Sequence, residues 1–258
     1  ATGPVADKLA SEYAREGKTV IFLEHYVRAS SGISVDRKGL WSTAFAADNP
    51  GYSGSIYYPL TGIDTGFRTL HGGSLGGTAE LKESNLRAAI DTALSRNTRV
   101  GLQAYYERGA TERNKAFVTA IVTNGTGLPL GRMNSAKVWA MLYEDLPEGN
   151  KDRLYSPWFV RSGAMLPIDP DLAPGATATY KLEVLGVTGM NWSRSHIAVV
   201  VDYVGARKPE ALQAATHAQR EGRHADVGLG VAIYPRTEKQ DVHFALITPE
   251  GERQFSRP

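Results

Sequence analysis

The 258-residue chain contains no cysteine. That absence excludes disulfides, thiol–disulfide exchange, thiol catalysis and thiolate metal sites. It leaves the compartment open, because cysteine-free chains occur on both sides of a membrane. Long apolar runs are also missing: nothing approaches the roughly 18 residues needed to cross a bilayer, so no transmembrane span is expected. Charge of one sign is not in excess, with 29 Lys and Arg against 27 Asp and Glu. So close a balance gives no electrostatic reason to expect nucleic acid or an anionic membrane as main partner. Internal repeats and low-complexity tracts are absent as well. The first residue is Ala1 rather than Met, which fits a processed or trimmed chain; processing would fit export.

What is present is ordinary for a globular protein able to bury real cores, with 42% hydrophobic and 22% charged residues. Residues 5–16 put Val5, Leu9, Ala10 and Tyr13 at helical spacing, with Gly17 as a stop. "TVIFLEHY" reads as a short buried strand. Ser34 to Ala47 reads as a helix, with Val35, Leu40, Trp41 and Phe45 for its buried face, broken by "DNPGYSG". Glycine-separated pieces over 55–77 suggest a hairpin. "TAELKESNLRAAIDTALSRN" is the clearest helix, with Leu81, Leu86, Ile90 and Leu94 on one face and Thr78 or Ser84 to cap it.

After Asn97 the texture changes. "RVGLQAYYERG", "KAFVTAIVTNG", "AKVWAMLYEDL", "RLYSPWFVRSG", "ATYKLEVLG" and "SHIAVVVDYVG" are short β-branched and aromatic runs between turn signals. Strands at that spacing without intervening helices predict an antiparallel sandwich. Residues 208–226 have the composition of a polar helix or loose connector, followed by two more strand-like runs and a polar end. The expected organisation is an α+β chain: a mixed unit over 1–97, a β-sandwich over 98–207, and a tail over 208–258 that pairs with its own sheet or a neighbour's.

Candidate chemistry is sparse. The strand–loop–helix at residues 20–40 has the outline of a redox site, with Ser31 and Ser34 at the helix start. Serine has no ionisation near neutral pH comparable to a thiol, so a nucleophilic Ser31 would need an adjacent base such as His25. Helix capping explains both serines. "HGGSLGG" lacks the Lys-Ser/Thr end of a phosphate loop and fits turn glycines. The six histidines show no ligand spacing, and no metal or cofactor is expected. Glu144-Asp145 reads as a pair flanking a turn. The triplets at Asn124 and Asn191 matter only in a eukaryotic secretory host. Aromatics offer more, because exposed Tyr and Trp are favoured at protein interfaces. Tyr57, Tyr58, Tyr105, Trp158, Tyr234 and Phe244 are the interface candidates.

Residues 20–94 resemble a shortened thioredoxin-like domain. "FLEHYVRASSGISVDRKGL" is similar to that family's strand, Glu, aromatic, loop, C-x-x-C and helix, with Ser31 and Ser34 at the cysteine positions. "RTLHGGSLGGTAELKESNLRAAIDTAL" resembles its late segment, with Arg68 where a cis-proline would precede Thr69. "KVWAMLYEDL", "LYSPWFVRSGAM" and "HIAVVVDYVGARKPEALQAA" are similar to the immunoglobulin-like domain that follows in a family of exported, outer-membrane-associated bacterial proteins. The resemblance covers about residues 18–215 and implies vestigial redox positions at Ser31, Ser34 and Arg68. It implies a non-catalytic, extracytoplasmic binding or structural protein, an accessory subunit acting through contacts with other protein subunits, peripherally associated with a membrane complex. The alternatives are a hydrolase, either serine-dependent on Ser31 and His25 or metal-assisted on His25, His71 and nearby carboxylates, and a carbohydrate-binding module built on exposed tryptophans such as Trp139, Trp158 and Trp192.

Overall fold

The computed structural model describes residues 3–18, 20–23, 25, 33–51, 61–66, 68–70, 77–96, 100–109, 111–144, 158–204, 209–217, 228–233, 243–248 and 251–256. The fold is mixed, with helices α1 (Gly3–Arg15), α2 (Ile33–Asp48) and α3 (Ala79–Leu94) alongside antiparallel sheets. Among the described residues no helix is long and apolar enough to cross a membrane.

The N-terminal layer is built on helical periodicity. Val5, Leu9 and Tyr13 recur every four residues on α1 and are buried against Leu86, Ala89, Ile90 and Ala93 of α3. Thr78 caps α3, its hydroxyl accepting from the Leu81 amide at 3.3 Å. Tyr13 crosses between the helices and donates to Asp91 at 3.0 Å. Arg87 bridges back to Glu12, and Lys8 pairs with Glu83 at 2.7 Å. Strands β1 (Thr61–Ile63) and β2 (Arg68–Leu70) form a short antiparallel pair whose Ile63 and Leu70 close this core.

The second layer is a sandwich. A three-stranded sheet, β3 (Val100–Arg108), β4 (Lys115–Asn124) and β7 (Thr177–Leu185), faces a larger sheet. That sheet runs β12 (Gly251–Ser256), β11 (His243–Thr248), β10 (Gly228–Ile233), β9 (Pro209–His217), β8 (Ser195–Val204), β5 (Lys137–Glu144), β6 (Phe159–Pro167). Alternate residues from both sheets fill one core, among them Leu102, Tyr106, Val118, Val122, Leu142, Leu182, Val199 and Val201. β5 and most of β8 are buried on both faces. Their inner residues join that core, while Trp139, Met141, Tyr143, Ala198 and Val200 form a second cluster with Ile33 of α2. The sandwich therefore has an outer cover, and α2 supplies it.

Several expectations need correction. "TVIFLEHY" joins no ladder among its described residues, although its pattern still works: Val20 and Phe22 meet the N-terminal core, and Ile21 and Leu23 meet the α2 seam. Leu81 is not on the buried face of α3; it is 51% exposed, because the first turn of that helix lies beyond its contact with α1. The polar helix or connector read over 208–226 begins instead as strand β9, paired along β8 from Val204↔Pro209 to Ile197↔His217. The tail strands pair with their own sheet, since β10 lies against β9, β11 against β10 and β12 against β11.

Candidate functional site

The candidate site forms where α2, the β1–β2 turn and the outer face of the sandwich meet. α2 starts at Ile33, which is 6% exposed and packs on Trp139, Met141, Val160 and Val200. It seats on Gly163 of β6, where an added Cβ would collide with the Ile33 side chain and lie 2.6 Å from the Ala140 carbonyl oxygen. No other residue type allows that approach. One turn further along α2, Arg37 is buried too.

Arg37 reaches the carboxylate of Asp202 on β8, with Nη1 to Oδ2 at 2.7 Å. The same carboxylate accepts from the Trp139 indole Nε1 at 2.7 Å and from the Thr65 hydroxyl at 3.3 Å. Nη2 of Arg37 donates to Thr65 Oγ1 at 3.0 Å. The guanidinium lies 5.2 Å from the Trp139 ring and 5.9 Å from the Trp41 ring. His25 meets Trp41 edge-on at 4.8 Å. Indole, hydroxyl and guanidinium thus converge on one buried carboxylate, which is what a buried acid needs.

The backbone at this point is strained. Asp64 and Thr65 have φ of 45° and 62°, left-handed values for two successive non-glycine residues. For a β-branched residue that conformation costs on the order of 1–2 kcal/mol. The Thr65 hydroxyl offsets it by bonding both members of the ion pair. Gly62 completes the turn, since a Cβ there would lie 2.7 Å from both the Thr65 carbonyl oxygen and Trp41 Cδ1.

Burial sets the electrostatics. It pulls the Arg37 guanidinium below its ordinary value, with Asp202 opposing. It pushes the Asp202 carboxyl up, opposed by Arg37 and by the hydrogen bonds from Trp139, Arg37 and Thr65. Burial, helped by Arg37, drives the His25 imidazole from 6.5 down to about 3. His25 is therefore neutral near pH 7. The arrangement holds α2 to the sheet: a buried carboxylate accepts from an indole, a hydroxyl and a guanidinium, and Nε of that guanidinium is buried without a hydrogen-bond partner among the described residues.

The residues predicted from sequence are dispersed. Ser34 lies in the first turn of α2 and Arg68 opens β2 opposite Ile63, but both their side chains, and Ser31 entirely, lie outside the described residues. Tyr57, Tyr58, His71 and Tyr234 lie outside them too, and Phe244 is placed by backbone in β11. Tyr105 is half-buried on β3, opposite Thr119. Trp158 is half-buried with its ring 5.3 Å from Phe22, so it faces the N-terminal layer. Trp139 is buried, which removes it as a sugar platform, and Arg108 stacks on the half-buried Trp192 ring at 4.5 Å. Glu144 accepts from the Asn191 amide at 2.8 Å and pairs with Arg161 at 3.3 Å. Asn124 is fully buried, and Asn191 caps a 3-10 turn at Trp192–Arg194. Among the described residues no cluster of His and carboxylates could hold a metal.

Sequence reasoning missed Arg37, Thr65, Trp139 and Asp202 as a unit. A signal existed in "IAVVVDYV", where an acid interrupts a strand otherwise apolar on both faces.

No family model and no curated protein matches the chain. Among solved structures, HBP35 of Porphyromonas gingivalis is similar over 85% of this chain and 82% of that one, with a TM-score of 0.43 and 13% identity.

Proposed function

We propose that the protein is a non-catalytic, exported binding or structural component, an accessory subunit of an extracytoplasmic complex that works through protein–protein contacts. In this reading the N-terminal layer is a degenerate thioredoxin-like domain and the sandwich is immunoglobulin-like. The observation that carries it is the position of Ile33, between Ser31 and Ser34, buried on Gly163 and the outer face of β5 and β8. In the family that the sequence resembles, that helix start must be open to a substrate. Here the residue between the two serines is committed to internal packing, and Arg37 a turn later to an internal ion pair. The absence of cysteine argues in the same direction.

Gentle purification from the native source, with identification of co-purifying proteins, tests the proposal. A defined companion at constant stoichiometry is the expected result. A stable monomer with no companion would overturn the subunit reading, and turnover of a generic ester by the pure protein would overturn the non-catalytic one.

A further inference from the structure

The chain carries four thioethers and no thiol, and the fold places the four sulfurs in very different surroundings. Met141 lies on β5 at 0% exposure, beneath α2. Met190 is partly buried against the sandwich core, and Met165 on β6 is 37% exposed. Met133 is 94% exposed, more than any other large hydrophobic among the described residues, and Leu128 follows at 69%. Both belong to the connection between β4 and β5, and that connection is tied down along its length. The amides of Gly131 and Arg132 donate to Asn134 Oδ1 and Asp171 Oδ1, each at 2.9 Å, and Asn134 Nδ2 donates to the Pro129 carbonyl at 2.9 Å. The Ser135 and Ala136 amides close back on the carbonyls of Arg132 and Gly131, and Leu130 pairs with Leu172. The 3-10 turn at Arg132–Asn134 is therefore fixed while its central side chain stands in water.

We propose that Met133 is a reversible oxidation site, taking one oxygen atom from a peroxide and losing it to a peptide methionine sulfoxide reductase. In the forward step a sulfur lone pair attacks one peroxide oxygen, so that an S–O bond forms and the O–O bond breaks. The proton of the attacked oxygen goes to the departing one, which leaves as water, and the sulfur has given up two electrons. Two thiols of the reductase return those electrons, becoming a disulfide as the sulfoxide oxygen leaves as water. This chain has no cysteine to supply such thiols, so the reductant is another protein. Attack requires a path for the oxidant and water to receive the charge on the departing oxygen; position 133 offers both and position 141 neither. A sulfoxide at 133 displaces no packing, because that side chain joins none of the three cores. The same group at 141 would set an unpaired polar oxygen against Trp139 and Ala198. The product of the favoured reaction thus differs only at the surface, where an apolar side chain has become polar.

The inference stands apart from the binding role proposed above, and its test needs no partner. The folded full-length protein is treated with hydrogen peroxide at neutral pH. Oxidation at each methionine is followed by peptide mass spectrometry, with rates normalised to the urea-unfolded chain. Position 133 should react within about twofold of its unfolded rate, and positions 165 and 190 about threefold or more below theirs. Position 141 should lag by at least about 100-fold, since its sulfur must wait for the structure to open. A pair of reductases, one for each sulfoxide epimer, should return the singly oxidised folded protein to its starting mass in the presence of dithiothreitol. That oxidised protein should melt at the temperature of the untreated one. Met133→Leu should abolish the fast first uptake of oxygen and leave melting unchanged. Met165 or Met190 reacting as fast as Met133 would overturn the inference, and so would an undiminished first uptake in Met133→Leu. A loss of stability on oxidation at 133 alone, or a sulfoxide there that the reductases repair only in the unfolded chain, would overturn it as well.

Discussion

Replacing Arg37 by Met leaves Asp202 buried with its indole and hydroxyl donors but no counter-charge. The methionine keeps most of the apolar stem, so lost packing is small and the measured change reports the charge. Removing one member of a buried pair typically costs about 3–5 kcal/mol, because the survivor keeps its desolvation penalty without its partner. That is a large share of the roughly 5–15 kcal/mol that holds a whole domain together. Removing both charges is a different perturbation. Arg37→Met with Asp202→Leu leaves an apolar seam and returns both desolvation penalties, so the double variant should lie within about 1–2 kcal/mol of wild type. The coupling energy from the cycle should therefore be about 3 kcal/mol or more.

Urea unfolding at pH 7 followed by tryptophan fluorescence measures the cycle, with Trp41 and Trp139 in the seam itself. The cost of Arg37→Met should also depend on pH in a defined direction. With Arg37 gone, Asp202 has a folded value further above its unfolded one, so its stabilising proton is lost as pH rises. The variant should be more impaired at pH 8 than at pH 5. If Arg37→Met costs under about 1 kcal/mol, or the double variant is as unstable as the sum of the singles, the pair is not the buried, desolvated contact described.

Other perturbations follow from single contacts. Gly163→Ala should destabilise by about 1–3 kcal/mol through collision with Ile33 and the Ala140 carbonyl, and its effect should shrink in an Ile33→Val background, as read by thermal melts. Asn124→Ala should cost about 2–4 kcal/mol in urea, because Nδ2 donates to the Leu128 and Leu172 carbonyls while Oδ1 accepts from the Thr126 amide and hydroxyl. Thr65→Gly relieves a left-handed residue but removes a hydroxyl from the ion pair, so a net loss of about 1 kcal/mol is expected; a gain in melting temperature would mean the backbone strain outweighs those bonds.

Local signals were legible in the sequence where local physics decides the outcome. The Thr78 cap and the Leu86–Ile90 stripe of α3 are set within one helix, and the alternation of "TYKLEVL" within one strand. The failures share a cause. "PEALQAATH" is rich in good helix formers, yet it is β9, because pairing along β8 overrides a propensity worth only tenths of a kcal/mol per residue. Leu81 fits a helical stripe by spacing, but spacing does not say where the neighbouring helix ends. Arg37 and Asp202 are 165 positions apart, and only the folded layers bring them to 2.7 Å. What could have been read is the continuous apolar run in "VWAMLY" and "IAVVV", since a sandwich strand with one wet face would alternate. Those strands announce a cover without naming it.

The polar centre of that cover also explains why α2 lies at one register. Ile33 and Leu40 present an apolar stripe to a broad face of Trp139, Met141 and Val200, and such a stripe can shift along the face at little loss of buried area. The Arg37 bond cannot follow, because Asp202 receives donors from a second strand and from the β1–β2 turn as well. A shift of one helical turn, about 5.4 Å, would leave the carboxylate without its guanidinium. Gly163 adds a steric limit of the same kind, admitting Ile33 at one point on β6. The hypothesis is that the pair contributes uniqueness more than stability. The Arg37→Met, Asp202→Leu chain is its test: stability near wild type with doubled amide resonances for α2 is the expected outcome. A single sharp set would show that Gly163 alone holds the register.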